Sequence, residues 1–336
     1  MLEKIAEALR RHDKFVVSTH VNPDGDAIGS CLALKWMLDA MGKTAWVINP
    51  ESTPEKLQFL DPENTIVVYD APICDPILES AEVHCTVDVS EPGRVGSVLE
   101  PLRAAGLVEI VIDHHPGNNH KADLAYIDPQ ASATGLLLCD LIETLGLPLS
   151  PRVAELLYVA IMTDTGSFRY TNTDGRTHRA TARLIEAGAE PQRLYSAIYE
   201  RDSIERFRLY QKVIGTAQFA AGGQLAWMVC PKEFFEQTGT RNTDLEDFVN
   251  TPRSLKTVEV SILFSQPRSG TVRISMRSKN RLDVSRLAAR FGGGGHVRAA
   301  GAVVEMSLEE AQKQVLQTAE QMLLETATPK AESEEK

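Results

Sequence analysis

What this chain lacks narrows its chemistry first. No run of about 18 apolar residues interrupts the sequence, so no segment is expected to span a bilayer. The start, Met1-Leu2-Glu3-Lys4, carries no apolar core of a secretory signal, which places the chain in the cytoplasm with no membrane partner. Cysteines number 5, at Cys31, Cys74, Cys85, Cys139 and Cys230. A scattered, odd set without a C-x-x-C pair excludes a disulfide framework and a thiolate zinc site, and suits a reducing compartment. Internal repeats are missing too. Basic charge is in deficit: the formal net charge is −11, which argues against long duplex DNA as a partner.

The basic residues that are present are concentrated. Between Arg253 and Arg298 ten Lys or Arg face only Glu259 and Asp283, a local charge of +8. A basic module on an acidic body suits a small anionic ligand held locally; a solvated basic face is the bland alternative. With 336 residues, 43% hydrophobic and 24% charged, the chain has material for two globular domains.

The chain alternates strands and helices. A short helix over 1–12 precedes strand Phe15–His20 and a helix from about Gly25 to Met41. Strands follow at Thr44–Asn49, Thr65–Tyr69, Val83–Asp88 and Leu107–Asp113, the pattern of a doubly wound, mostly parallel sheet. From Ser132 to Thr165 the periodicity is helical, with a further helix over 176–188. A charged helical connector over 191–212 leads to a smaller α+β domain. Its strands are expected at Gln224–Cys230, Leu255–Phe264, Thr271–Met276 and Ala302–Glu305, and its helices at Asp283–Phe291 and Leu308–Leu324. The tail 326–336 has no apolar face and is expected to be disordered. The domains are therefore 1–190, the connector 191–212, then 213–325.

Carboxylates and imidazoles collect at strand ends. His20, Asp24 and Asp26 surround the first strand–helix turn, where Gly25 is expected to provide a conformation that a side chain would resist. Asp88 ends the fourth strand, Asp113-His114-His115 the fifth, and Asp164 follows the helical segment. Capping by Asp24 or Asp26 explains the first turn alone but not the recurrence. Parallel strands bring their carboxyl ends to one edge, so these groups can converge into a site for a pair of divalent cations. Such a pair, about 3.5–4 Å apart, supports in-line phosphoryl hydrolysis. In the basic segment, Gly292–Gly295 before His296 can form an anion-binding nest, with Arg277 and Arg298 adding charge. Phe168 and Tyr170 are read as core residues rather than stacking platforms, and His178 as an exposed helix residue.

These residues resemble the DHH phosphoesterases. Asp113-His114-His115 is that family's signature, and His20-Val-Asn-Pro-Asp-Gly-Asp-Ala-Ile-Gly-Ser30 resembles its first motif. Val87-Asp88 is similar to its second motif, and Thr163-Asp164-Thr165-Gly166-Ser167-Phe168 to its fourth. Phe291–His296 with Ala299-Ala300-Gly301, and Ser275-Met276-Arg277-Ser278, resemble the DHH-associated substrate domain. The resemblance spans residues 5–325 and is nearest to the nanoRNase branch. It departs at Glu91, where relatives often carry aspartate, and at Val297-Arg298, where many place a basic residue first.

The resemblance implies a hydrolase for short oligoribonucleotides, acting 3′-5′, and for 3′-phosphoadenosine 5′-phosphate (pAp), with the active site in the cleft between the domains. His20 and Asp24 would hold one metal ion, Asp26, His114 and Asp164 a second, and Asp88 would bridge them. His115 would touch the scissile phosphate and Asp113 would orient the histidine pair. Arg277, Ser278, Gly293, Gly294, Gly295, His296 and Arg298 would bind substrate. Manganese is the usual family metal, with magnesium or cobalt as alternatives, and a homodimer is compatible with the pattern. The rival readings are a phosphodiesterase for cyclic di-AMP or linear dinucleotides such as pApA, an inorganic pyrophosphatase, and a non-catalytic nucleotide-binding module.

Overall fold

The structure, a computed structural model, describes residues 1–118 and 120–327. It divides into two units, Met1–Arg201 and Asp202–Lys336.

The first unit carries helices α1 (Leu2–Arg11), α2 (Gly25–Ala40), α3 (Ala71–Ser80), α4 (Leu99–Ala105), α5 (Thr134–Leu145), α6 (Pro151–Asp164), α7 (Gly175–Glu186) and α8 (Pro191–Tyr199). Its strands are β1 (Lys14–Ser18), β2 (Thr44–Asn49), β3 (Ile66–Val68), β4 (Val83–Val87), β5 (Val108–Asp113) and β6 (Leu124–Ile127). They form one parallel sheet in the order β3-β2-β1-β4-β5-β6. The order reverses between β1 and β4, the position at which open sheets of this kind leave a crevice at the strands' carboxyl ends.

Side-chain alternation builds a core on each face. Phe15, Val17, Val47, Val83, Cys85, Ile110 and Ile112 pack under α1, α2, α5 and α6, while Val16 and Ile48 face the opposite side with Cys74, Leu78, Val98 and Leu102. Helix α2 is buried from Gly25 through Leu34, which explains its apolar residues all round. It lies so close to α6 that a Cβ at Gly29 would stand 2.5 Å from the Leu156 carbonyl oxygen.

The second unit contains α9 (Ile204–Ile214), β7 (Gln218–Ala220), β8 (Leu225–Cys230), α10 (Lys232–Thr238), α11 (Asn250–Arg253), β9 (Val260–Arg268), β10 (Thr271–Ser278), α12 (Val284–Ala289), β11 (Gly294–His296), β12 (Ala299–Glu305) and α13 (Leu308–Ala327). The sheet order is β11-β12-β10-β9-β8-β7, antiparallel except for the β8–β9 pair. Ala311, Val315 and Ala319 of α13 recur at helical spacing and seal one face over Ile262, Phe264 and Ile274. Leu209 and Val213 of α9 and Phe235 of α10 cover the other face at Met228 and Leu263.

Several expectations are corrected. The stretch 191–212 is not one connector. It holds parts of two helices, α8 and α9, with Leu194 buried in the first unit's core and Leu209 in the second's. Burial thus attaches each helix to its own unit. Strands β6, β7 and β11 were not foreseen, because they are short and only part-buried or exposed, so no apolar alternation marks them. Within Leu255–Phe264 only the residues from Val260 are strand. The tail is helical through Ala327, and 328–336 lie outside the described residues. Among the described residues no helix is long and apolar enough to cross a membrane.

Candidate metal centre

The groups converge from four segments: the loop and helix start after β1, the ends of β4 and β5, and the end of α6. The loop after β1 turns through Asn22, whose φ is +53°, and Asp24 then caps α2, its Oδ1 accepting from the N–H of Asp26 at 3.0 Å and of Ala27 at 3.1 Å. The capping reading of Asp24 is therefore correct, and Asp24 is also part of the cluster described below. Gly25 is required for a different reason from the one expected. Its backbone is helical, but a Cβ there would stand 2.5 Å from the Thr163 side chain.

Asp26 is buried and accepts from Thr134 N at 2.7 Å, Gly135 N at 2.9 Å and Ser30 Oγ at 3.0 Å. The amino terminus of α5 is thus aimed at this carboxylate. Burial, with the charges of Asp88, Asp164 and Asp24, nevertheless pushes its pKa well above the ordinary value.

Asp88, the residue after β4, has a left-handed backbone with φ +60°, a conformation that costs energy for any residue with a Cβ. Its carboxylate is buried among imidazoles. Oδ2 lies 3.5 Å from His20 Nε2, and Oδ1 lies 3.6 Å from His114 Nε2 and 3.7 Å from His115 Nδ1. Thr134 Oγ1 donates to Oδ1 at 3.0 Å. Burial alone would raise this group, but the His20 hydrogen bond and the three histidines outweigh it and hold the pKa below the usual range.

Asp113 ends β5. It accepts from His115 Nδ1 at 2.8 Å and from Asn118 Nδ2 at 2.6 Å, while Asn118 also donates to the Val89 carbonyl at 2.8 Å. The hydrogen bond to Asp113 raises the proton affinity of His115 against its burial. His114 Nδ1 contacts the Ala131 carbonyl at 3.2 Å and points Nε2 inward, 3.5 Å from Asp164 Oδ2 and 3.8 Å from Asp26 Oδ2. Asp164 ends α6, and burial first of all lifts its pKa to about 6. The next residues are structural. Gly166, Ser167 and Phe168 all have positive φ, and the Phe168 ring packs 5.9 Å from Tyr158 and 5.7 Å from His178. Tyr170 is exposed.

Three overlapping triads can each hold a cation: His20–Asp24–Asp88, Asp26–His114–Asp164 and Asp88–His114–His115, with ligand atoms within 4.8 Å of one another in each. Mixed imidazole and carboxylate donors suit hard or borderline divalent ions. Burial, with like charges beside them, raises Asp26 and Asp164, and a cation would offset both by favouring the ionised carboxylates, so the donor set fits such ions. Thr134, Ser30, Asn118 and Arg94 escaped the sequence reading. Only the Thr134-Gly135 start of a helix offered a signal, and Asn118 lies five residues beyond Asp113 in an irregular loop.

In the second unit the expected substrate residues divide. Ser278 is buried and its hydroxyl donates to the Val297 carbonyl at 3.3 Å; Arg298 donates to the carbonyls of Leu282, at 3.2 Å, and Asn280. The glycine run is packed against β12. Gly294–His296 form the edge strand β11, and a Cβ at Gly293 would fall 2.1 Å from the Gly301 carbonyl oxygen, one at Gly295 2.6 Å from that of Ala299. His296 is exposed on β11, and Arg277, half-buried on β10, donates to the Met276 carbonyl at 3.0 Å.

Known proteins share the domains and the fold of this chain. The DHH family N-terminal domain matches residues 14–161 and the DHHA1 domain residues 222–325. The chain is 35% identical over 322 residues to the bifunctional oligoribonuclease and PAP phosphatase NrnA of Thermus thermophilus, covering 95% of this chain and 93% of that protein. Its identity to the protein of the same name from Bacillus subtilis is 25%, covering 90% and 93%. A crystal structure of an exopolyphosphatase-related protein from Bacteroides fragilis superposes with a TM-score of 0.89 at 30% identity, over 96% of this chain and 97% of that one. RecJ from Thermus thermophilus in complex with Mn2+ shares the fold at a TM-score of 0.53 and 17% identity, over 95% of this chain and 54% of that one. With both domains matched in order and a relative aligned over nearly its whole length, the chain belongs to the DHH family, joining that family's N-terminal domain to a DHHA1 domain.

Proposed function

We propose that this protein is a two-metal phosphoesterase that hydrolyses very short oligoribonucleotides from the 3′ end and removes the 3′-phosphate of pAp. The observation that carries the reading is Asp88, whose carboxylate is common to two of the three cation-capable triads and touches the histidine of the third. The names of the Thermus and Bacillus relatives support the substrate class.

In this reading His20 and Asp24 would hold one ion and Asp26, His114 and Asp164 the other, with Asp88 shared between them. Bound there, divalent ions, manganese foremost, would supply positive charge for water activation and for neutralising the phosphoryl group. The chain's own residues do the rest. Thr134 and the start of α5 fix Asp88 and Asp26. Asp113 accepts from Nδ1 of His115 and fixes the ring, leaving Nε2 as the atom that would meet the phosphate. Arg277 and His296 are the second unit's candidates for holding the substrate's non-reacting end.

The test is purified protein with Mn2+, given labelled RNA from dimers to about 24-mers, pAp, and linear and cyclic di-AMP side by side. RNA of two to about five nucleotides and pAp should turn over fastest. Equal processing of dimers and 24-mers would point to a longer channel, and preference for cyclic di-AMP would point to the rival phosphodiesterase.

A further inference from the structure

Among the described residues, Arg94 stands beside the centre with no carboxylate paired to it. We propose that it is a catalytic residue of the phosphoryl-transfer site, its guanidinium binding a non-bridging oxygen of the scissile phosphate at the His20 end of the cluster. This inference rests on the phosphoesterase reading above.

The fold goes to some length to place it. Arg94 lies in an irregular turn over Pro92–Val98, and its carbonyl accepts from the Val21 N–H at 2.8 Å, pinning the turn to the loop that carries His20. Gly96 permits this approach: its φ is +64°, and a Cβ there would lie 2.8 Å from Val21 Cγ1 and 3.0 Å from Pro50 Cβ. The side chain is part-buried, and its Nη2 lies 3.1 Å from His20 Nδ1. Although four aspartates crowd the cluster, no carboxylate pairs with Arg94 among the described residues.

The His20 contact depends on the tautomer. Nδ1 lies 3.1 Å from the Arg94 donor and 2.8 Å from the Val21 carbonyl, and one nitrogen cannot accept from the first while donating to the second. When Nε2 serves as a ligand, the proton resides on Nδ1 and goes to Val21. Arg94 then loses its acceptor. A half-buried guanidinium in that position calls for an anion, and its planar fork matches phosphoryl oxygens. Unlike anchors on the non-reacting end, such a contact acts on charge at the reacting phosphorus, so every substrate should depend on it, small ones included.

The experiment compares wild type with Arg94→Ala and Arg94→Lys in three measurements: Mn2+ affinity by electron paramagnetic resonance, inorganic phosphate binding to the Mn2+-loaded protein by calorimetry, and kcat on RNA dimers, pAp and bis-p-nitrophenyl phosphate. Arg94→Ala should keep Mn2+ affinity within about twofold, weaken phosphate about 10- to 100-fold, and lower kcat by a similar factor on all three substrates. Arg94→Lys should recover part of the loss. If Mn2+ affinity falls as far as phosphate affinity, Arg94 merely orients His20 and the proposal is wrong. It is equally wrong if phosphate binding and kcat are unchanged. Wild-type protein that binds no Mn2+ would instead overturn the phosphoesterase reading, and this inference with it.

Discussion

Thr134 Oγ1 donates to Asp88 Oδ1 at 3.0 Å while the same residue's N–H donates to Asp26 Oδ2 at 2.7 Å. One residue at the head of α5 therefore fixes carboxylates from two other elements, the loop after β4 and the first turn of α2. Both carboxylates keep an orientation toward His114, whose Nε2 lies 3.6 Å from Asp88 and 3.8 Å from Asp26.

Replacing the hydroxyl should loosen the centre without unfolding the protein. Thr134→Val keeps shape and the backbone hydrogen bond to Asp26 but removes the donor to Asp88. Metal affinity is expected to fall about 10- to 100-fold, the usual cost of losing a group that orients a ligand. Titration with Mn2+ measures this; unchanged affinity would show that Asp88 needs no such support.

Asp88→Asn addresses the bridge itself. Asparagine tolerates the left-handed backbone at φ +60°, so the variant should fold. Removing the bridging charge and one of its two oxygen donors should cost several orders of magnitude in kcat and reduce the bound metal from two ions to one or none. Anomalous scattering and thermal melting check the two halves of this prediction, and a fully active variant would refute the bridging assignment.

The second unit's role is open to a differential test. Arg277→Ala and His296→Ala should lower kcat/KM for RNA dimers and pAp about 10- to 150-fold, the loss of one charge-assisted contact of about 1.5–3 kcal/mol. Bis-p-nitrophenyl phosphate, which lacks a remote phosphate, should be hydrolysed nearly as before. Equal losses on all substrates would place these residues at the reacting phosphate instead.

Acid sensitivity should depend on a histidine outside the metal centre. His84 on β4 is buried, its Nδ1 has no hydrogen-bond partner, and burial, aided by nearby His120, pushes its pKa down to about 3. The folded protein keeps it neutral, whereas the unfolded chain protonates it near pH 6.5. Its contribution is thus fully present above pH 6.5 and is lost as pH falls from 6.5 toward about 3, by about 1.4 kcal/mol per pH unit. Chemical denaturation of wild type and His84→Leu across pH 7 to about 4.5 should show the variant losing less stability by that slope. Parallel curves would mean that His84 has an outlet for its proton in the folded state.

Local sequence determined the elements and the chemistry they carry. Short apolar runs mark β1, β2, β4 and β5, turn residues mark their ends, and most groups of the candidate metal centre lie just beyond those ends. Such features repeat within a few residues, so one stretch of chain suffices to read them. Tertiary structure alone decided the supports. Thr134 meets Asp88 across 46 residues and Arg94 meets His20 across 74, and no periodicity encodes such hydrogen bonds. It also decided what the glycines are for. Gly25 clears Thr163 from within a helix rather than bending a turn, and Gly293 clears the backbone of β12. A missing Cβ looks the same in sequence whether it frees a dihedral angle or admits a neighbour, and only the packed neighbour shows which constraint applies.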